Sequence, residues 1–142
     1  MYETILFPTD GSEHAERVAE HAVDVATTRD ASLHVLSVVD DRAFLVLDDD
    51  RVERVRDDLR SSALSATEDA AAVATKVGLD VETAVDTGNP AERIVDYAAE
   101  HGVDLIVMGT SGDEYETNVV GSVSQRVVRT APVPVLTVGP DA

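Results

Sequence analysis

Two kinds of hydrophobic pattern alternate along this chain, and their alternation restricts the fold more than any other feature. Five short apolar or alternating runs, typical of strands, begin near residues 4, 32, 80, 103 and 133. Between them, apolar residues recur every three or four positions, as on one face of a helix. Regular alternation of strands and helices implies right-handed crossovers. We therefore predict an α/β fold with an open five-stranded parallel sheet and helices on both faces.

Turn and capping residues predict several helix ends. The first helix should begin at Ser12, whose side chain can cap it, with acidic residues in the turn that follows. A long helix is expected from Val52 to Val77, and Gly78 should end it in the left-handed conformation. Asn89 and Pro90 favour the cap and the first position of the next helix. The long helix should bury the apolar or small residues at positions 52, 55, 59, 63, 66, 70, 73 and 77.

The segment from Asp40 to Asp50 is the one long irregular connection that the pattern predicts. It is rich in Asp and contains the apolar run AFLVL. Two interpretations stay open: a lid over a site, or a solvent-facing loop with an apolar anchor.

The charge balance disfavours several classes of partner. The formal net charge is −17, with 28 acidic residues against 11 basic ones, and the acids are spread along the whole chain. Nucleic acid and anionic membrane are therefore poor partners. Lys76 is the single lysine, and this composition favours a halophilic protein in a salty cytoplasm, where the screening length falls to about 3 Å at molar salt. An ordinary acidic protein is the alternative.

Residue types and segments that the sequence lacks exclude further kinds of chemistry and of location. The chain has 142 residues and no cysteine, so we expect one domain over residues 1–142 and no disulfide, zinc–thiolate or thiol chemistry. The start, MYETILFPTD, lacks the pattern of a signal peptide, and no long apolar run is present. We therefore expect a cytoplasmic protein without a membrane span.

Two turns that follow predicted strands are candidate ligand sites. PTDGS follows the first strand and contributes Pro8, Thr9 and Asp10, while MGTSG follows the fourth strand from Met108. In open parallel sheets, ligands bind at the carboxyl ends of strands where the strand order reverses. Glycines there let a ligand approach the main chain, and the next helix start attracts anions. Glycines also simply end strands, so the spacing alone leaves a structural interpretation open.

Three stretches together resemble the universal stress protein family over essentially the whole chain. They are ILFPTDGSEHAERV, HVLSVVD and VMGTSGDEYETNVVGSVSQRVVRTAPVPVLTV. Nucleotide-binding members of that family carry Gly, two residues, Gly, nine residues, Gly, then Ser or Thr. This sequence matches with Gly109, Gly112, Gly121 and Ser122, but eight residues separate its second and third glycines.

The resemblance implies a role for each matching position. Asp10 would hydrogen-bond the sugar or base region, and Val38 would meet adenine through its main chain. Gly109 and Gly112 would pass close to the ribose and phosphates. The helix start from Gly121 would donate amides and hydroxyls to the phosphate chain. The full set of expected nucleotide contacts is Pro8, Thr9, Asp10, Val38, Met108, Gly109, Gly112, Gly121, Ser122, Val123 and Ser124.

The glycine loop departs from the family in its charge. Family members often place a polar residue at the position of Ser111 and a basic residue at the position of Asp113. Here position 113 is an acid, and Glu114 and Glu116 add two more. A carboxylate about 4 Å from a phosphate charge costs roughly 1 kcal/mol in water-like surroundings. The acids can instead point into solvent, be screened by salt, or hold Mg²⁺ or Mn²⁺ that bridges to the phosphates.

The resemblance implies a Rossmann-like, adenine nucleotide alpha hydrolase-like fold. It also implies a cytoplasmic, stress-responsive regulator that binds ATP or another adenine nucleotide. No catalytic residue is expected, and at most slow ATP hydrolysis. The resemblance also implies a homodimer through the last strand, residues 133–138, which would otherwise be an exposed edge. One alternative is a dimeric interaction or signalling module of the same fold that binds no nucleotide. Another is an enzyme acting on a small nucleotide ester, which would depend on Asp10.

Other chemistry is disfavoured by position. Asp10, Ser12 and His14 would point in different directions at a helix start, with Ser12 capping the helix and His14 exposed. The remaining histidines lack metal-ligand spacing and are expected at the surface or at helix ends: His21, His34 and His101.

Overall fold

A parallel sheet forms the centre of the molecule, as predicted. The structure is a computed structural model that describes residues 1–44, 48–110 and 121–140. Its five strands lie in the order β3-β2-β1-β4-β5, all parallel to their neighbours. The strands are β1 (Thr4–Pro8), β2 (Ser32–Asp40), β3 (Val81–Gly88), β4 (Leu105–Gly109) and β5 (Val135–Val138).

Four helices cover both faces of this sheet. Helices α1 and α2 pack together on one face, and α3 and α4 pack together on the other. A short 3₁₀ turn, Asp41–Phe44, separates β2 from α2. None of the helices in the described ranges is both long and apolar enough to cross a membrane. The helices are α1 (Ala15–Arg29), α2 (Asp49–Lys76), α3 (Pro90–Glu100) and α4 (Ser122–Thr130).

The core has two layers because strand side chains alternate between the faces. Ile5 and Phe7 of β1 are buried toward α1 and α2, and Leu6 between them is buried toward α3 and α4. Ala22 and Ala26 are fully buried on α1. Such small side chains let the helix backbone approach the large strand residues closely, which explains how a chain with few aromatics fills its core.

Two of the predicted helix ends are confirmed by hydrogen bonds and backbone angles. The Asn89 side chain accepts the backbone N–H of Glu92 at 3.1 Å, with Pro90 at the first helical position. Gly78 has φ +85°, the left-handed conformation that ends α2. Both ends rest on local chemistry, which is why the residue types alone predicted them.

The predicted start of α1 is wrong. The helix begins at Ala15 with His14 at the cap position, and no side chain caps it. Ser12 is buried instead, and its N–H donates to Asp10 Oδ1 at 2.9 Å. Between Ser12 and the helix the chain makes a further turn, in which the Ala15 N–H donates to the Ser12 carbonyl at 3.0 Å.

The predicted buried face of α2 is only partly right. Ala70 is buried as expected, but Val73 and Val77 are 39% and 55% exposed. The other buried positions are Thr67 and Ala74. A helix of this length is about 42 Å long, longer than the sheet beneath it, so only its carboxyl-terminal half buries side chains.

The connection between β2 and α2 is shorter than predicted. Residues 41–44 form the 3₁₀ turn, and α2 begins at Asp49. Residues 45–47, which carry most of the apolar run, lie outside the described residues. The lid interpretation therefore stays a prediction.

Candidate functional site

A cleft of about 330 Å³ opens at the carboxyl ends of β1 and β4. This is where the strand order reverses, since the chain proceeds from β1 to β2 and β3 on one side and places β4 and β5 on the other. Ligands of open α/β sheets bind at such switch points. The volume is within the usual range of small-molecule sites, about 300–1,000 Å³.

The structure brings the predicted site residues together around this cleft. Gly112 lies outside the described residues, as do Ser111 and the acids of the glycine loop. The remaining ten predicted residues all line the cleft: Pro8, Thr9, Asp10, Val38, Met108, Gly109, Gly121, Ser122, Val123 and Ser124.

Hydrogen bonds to β2 fix the turn that follows β1. The Thr9 N–H donates to the Leu36 carbonyl at 2.8 Å, and the Ser37 hydroxyl donates to the Thr9 carbonyl at 2.8 Å. The next residue, Asp10, is exposed, and its Oδ1 accepts the N–H of Ser12. Among the described residues, none donates a hydrogen bond to its Oδ2. A fixed acceptor therefore stands at the mouth of the cleft.

Helix α2 supports this turn from behind. Gly11 has φ +73°, and a Cβ built on it would lie 3.1 Å from the Cβ of Ala66 on α2. A side chain at this position would meet both backbone strain and a close neighbour. Glycine therefore lets the turn that carries Asp10 pack directly against α2.

The amino end of α4 is the best anion-attracting group in the cleft. Gly121 stands at the cap position in an extended conformation, and it has no side chain with which to cap the first-turn N–H groups of Ser122, Val123 and Ser124. Of the four helices in the described residues, α4 is the one without an acid in its first turn. Because the first turn of α4 contains no acid, the positive end of its helix dipole can attract a ligand anion.

Two hydrogen bonds join the start of α4 to the end of β4. The Ser124 hydroxyl donates to the Gly109 carbonyl at 2.6 Å, and the Gly121 N–H donates to the Thr110 carbonyl at 2.5 Å. The Ser124 proton is thus already used within the protein, and donating it to a phosphate would require that bond to break. The helix amides and the exposed Ser122 hydroxyl remain as donors.

The main chain of Val38 also faces the cleft. The even residues of β2 direct their N–H and C=O groups toward β1, as the bonds of Ser32 to Glu3 and of Leu36 to Thr9 show. The pairing with β1 ends at Leu36. Because Val38 continues the same alternation, its N–H and C=O point past the end of β1 into the cleft. One donor and one acceptor are therefore presented side by side.

Sequence reasoning missed an ion pair on the rim. Asp40 and Arg42 both line the cleft, and the Arg42 Nε lies 3.0 Å from each carboxylate oxygen of Asp40. The hydrogen bond from Arg42 is the largest cause that lowers the pKa of Asp40. The alternation Leu36, Val38, Asp40 along β2 was the available signal, since it places all three side chains on one face.

Helix residues outside the recognised motifs complete the walls. His14 lines the cleft and is half-buried, so the prediction that it is exposed is wrong. No sequence motif marked the rest, because they reach the site only through helix packing. They are Phe7, Ser12, Ala15, Val18, Leu36, Pro90 and Ile94.

The histidine predictions are correct for two of three residues. His21 is exposed and His101 ends α3, but His34 is 8% exposed in the middle of the sheet. Its Nδ1 lies 2.6 Å from the Tyr97 hydroxyl and its Nε2 lies 3.3 Å from Glu82. Burial lowers the pKa of His34, against the opposing charge of Glu82. Within the described ranges, no three His, Asp or Glu side chains are grouped to hold a metal ion.

The fold defines an open-sheet α/β protein with a cleft at the switch point of its strand order. The chain belongs to the universal stress protein family, whose model matches residues 1–139. Universal stress protein MJ0531 of Methanocaldococcus jannaschii is 35% identical over 140 residues, which cover 97% of this chain and 82% of that protein. The resemblance drawn from the motifs is thereby confirmed.

Solved structures agree with this assignment. The structure of hypothetical protein MJ0577 matches with a TM-score of 0.89 and 31% identity, covering 100% of this chain and 99% of that one. A universal stress protein in complex with cAMP matches with a TM-score of 0.74 and 26% identity, over 96% and 97%. The universal stress protein of Archaeoglobus fulgidus in complex with dAMP matches with a TM-score of 0.70 and 25% identity, covering 96% of this chain and 97% of that one. The α/β fold prediction is confirmed.

Proposed function

We propose that this protein binds ATP or a related adenine nucleotide in the cleft and acts as a stress-responsive regulator in the cytoplasm. The observation that carries the proposal is the amino end of α4, which faces the cleft with Gly121 at its cap position and without an acid in its first turn. Two structures of similar proteins hold cAMP or dAMP, ligands of the same chemical class.

The cleft can accommodate each part of such a ligand. The N–H and C=O of Val38 match the N1 acceptor and the N6 amino donor of adenine, while Leu36 and Ile94 supply apolar contact with the ring. Asp10 can accept a ribose hydroxyl. The phosphates then reach the amides at the start of α4. We assign no catalytic role to these residues, and we expect slow ATP hydrolysis at most.

A divalent cation would enter with the phosphates. The described residues contain no group of three metal-ligating side chains, so they do not form a Mg²⁺ or Mn²⁺ site of their own. Mg²⁺ commonly binds through substrate phosphates with one or two protein carboxylates, and Asp10 is such a carboxylate. The contribution of metal is tested by comparing ATP affinity with and without Mg²⁺ or Mn²⁺.

The direct test is calorimetric titration of ATP in molar KCl, with Ser122→Asp as the informative variant. An aspartate in the first turn stabilises a helix by about 0.3–1 kcal/mol, so the variant should fold at least as well. The same charge close to the phosphates should weaken ATP binding about tenfold or more. Ser122→Asn is the matched neutral control and should retain most of the affinity.

The outcomes separate the two candidate functions. Loss of ATP affinity in Ser122→Asp but not in Ser122→Asn supports the nucleotide site. Wild-type protein that shows no heat with millimolar ATP and metal overturns it. That result would favour the interaction module without nucleotide, which the acidic sequence between Gly112 and Gly121 also favours.

We also propose a homodimer through residues 133–138, the segment that contains β5. This strand is an edge of the sheet, and Leu136 is 39% exposed on it. Val128 on α4 is 52% exposed. An edge strand with exposed apolar side chains is a ready template for pairing with a second copy.

Sedimentation at micromolar concentration in molar KCl tests the dimer. Leu136→Lys should shift the protein toward monomer, because it places two like charges in the interface. Leu64→Lys, at a position 49% exposed on α2, should leave the assembly unchanged. A wild-type monomer under these conditions contradicts the proposal.

A further inference from the structure

The ion pair between Asp40 and Arg42 stands at one end of the cleft. Among the described lining residues, Arg42 is the one Lys or Arg side chain. It lies on the β2 side, and β1 separates that side from β4 and α4. Since neighbouring strands are about 4.8 Å apart, roughly 10 Å separates the two sides of the cleft. The guanidinium is therefore held away from the amides at the start of α4.

Asp40 orients this guanidinium through several contacts. The Nε of Arg42 lies 3.0 Å from both carboxylate oxygens, and its Nη2 lies 2.5 Å from Oδ2. The backbone N–H of Arg42 donates to Oδ1 at 3.0 Å. A guanidinium bound edge-on to a carboxylate has its plane fixed, and the planar group can stack on an aromatic ring. The Arg42 side chain is 66% exposed.

The position of the pair relative to Val38 defines what it can contact. Asp40 follows Val38 by two residues on β2, so both side chains project from the same face of the sheet. A purine that pairs with the main chain of Val38 would therefore lie at the same end of the cleft as Asp40. The Arg42 guanidinium, which contacts that carboxylate, lines the same end.

We propose that Arg42, positioned by Asp40, stacks on the purine ring of the bound nucleotide and closes the base end of the cleft. This inference rests on the proposed nucleotide binding. Arginine suits the task because its planar, weakly hydrated cation stacks on aromatic faces better than lysine does. Asp40 acts as a positioning residue in this arrangement. It also cancels the charge of Arg42, so the base end attracts a ring and not a phosphate.

The test is a titration of adenosine, AMP, ADP and ATP against wild type, Arg42→Ala, Arg42→Lys and Asp40→Asn. Arg42→Ala should weaken all four ligands by the same factor, about 3- to 30-fold. Arg42→Lys should restore only part of the affinity, and Asp40→Asn should lose part of it. Arg60→Ala on the exposed face of α2 makes the same charge change away from the cleft and should bind like wild type.

Each other outcome is decisive. A loss that grows from adenosine to ATP and shrinks with added KCl would mean that Arg42 binds phosphate, which overturns the proposal. Unchanged binding in Arg42→Ala also overturns it while leaving the proposed function intact. A wild-type protein that binds none of the four ligands overturns both. Thermal unfolding of each variant confirms that the exposed substitution leaves the fold unchanged.

Discussion

Replacing Gly11 by alanine should destabilise the protein for two separable reasons. Gly11 has φ +73°, and its new Cβ would lie 3.1 Å from the Cβ of Ala66. A non-glycine residue in the left-handed conformation costs about 1–2 kcal/mol. Forcing two packed groups together costs about 1 kcal/mol more at the lower end of overpacking. We therefore expect the free energy of unfolding to fall by about 2–3 kcal/mol.

The matched control is Gly78→Ala. Gly78 has φ +85°, and a Cβ there would meet nothing within 4 Å. This variant should lose only the backbone contribution, about 1–2 kcal/mol. The difference between the two variants then isolates the contact with Ala66.

Thermal unfolding followed by circular dichroism in molar KCl measures both variants. A shift of about 2–4 °C per kcal/mol places the Gly11→Ala midpoint about 4–12 °C below wild type. Adding Ala66→Gly to each variant costs about 1 kcal/mol of helix propensity in both. Only in the Gly11→Ala background does Ala66→Gly also remove the close Cβ contact, so only that double variant should regain the energy of the contact. If Gly11→Ala is no more destabilising than Gly78→Ala, the supporting role of α2 is refuted.

Three further predictions test other parts of the molecule. Burial lowers the pKa of His34 below 6.5, so the unfolded chain binds a proton that the folded one does not. The free energy of unfolding should fall as pH drops below about 6.5 and level off once folded His34 protonates; His34→Gln should flatten this slope in urea titrations. Asn89→Ala removes the cap bond to Glu92 and should cost about 1 kcal/mol, measured the same way. With a net charge of −17, the chain should unfold on dilution from molar to millimolar KCl as screening weakens; equal stability in both would count against a halophilic protein.

The alternating hydrophobic pattern was enough to predict the sheet and its helices. Strands and helices that bury one face carry a period that any reader of the sequence can count. Asn89 and Gly78 were predictable for a related reason, since a cap and a left-handed turn depend on one residue type at one position. The cleft followed from topology, because parallel strands bring their carboxyl ends to one edge of the sheet.

Features that depend on distant contacts could not be predicted in this way. His34 is buried because Tyr97 of α3 and Glu82 of β3 close over it, and no local pattern marks that contact. Ser12 has the right chemistry for a helix cap, yet the helix begins at Ala15, after a turn closed by the Ser12 carbonyl. The role of α2 behind Gly11 needed the distance to Ala66.

The acidity of the chain and its anion site are compatible because the proposed contacts use the main chain. Val38 presents an N–H and a C=O past the end of β1, and the start of α4 presents amides next to Gly121, which has no side chain to cap them. These dipoles do not depend on the side chains around them, so a sequence can gain many surface acids and keep the same donors. A site built on lysines would have lost its attraction as the acids accumulated. Among the described residues that line the cleft, the one arginine is paired with Asp40, which would leave the proposed phosphate binding to the backbone amides.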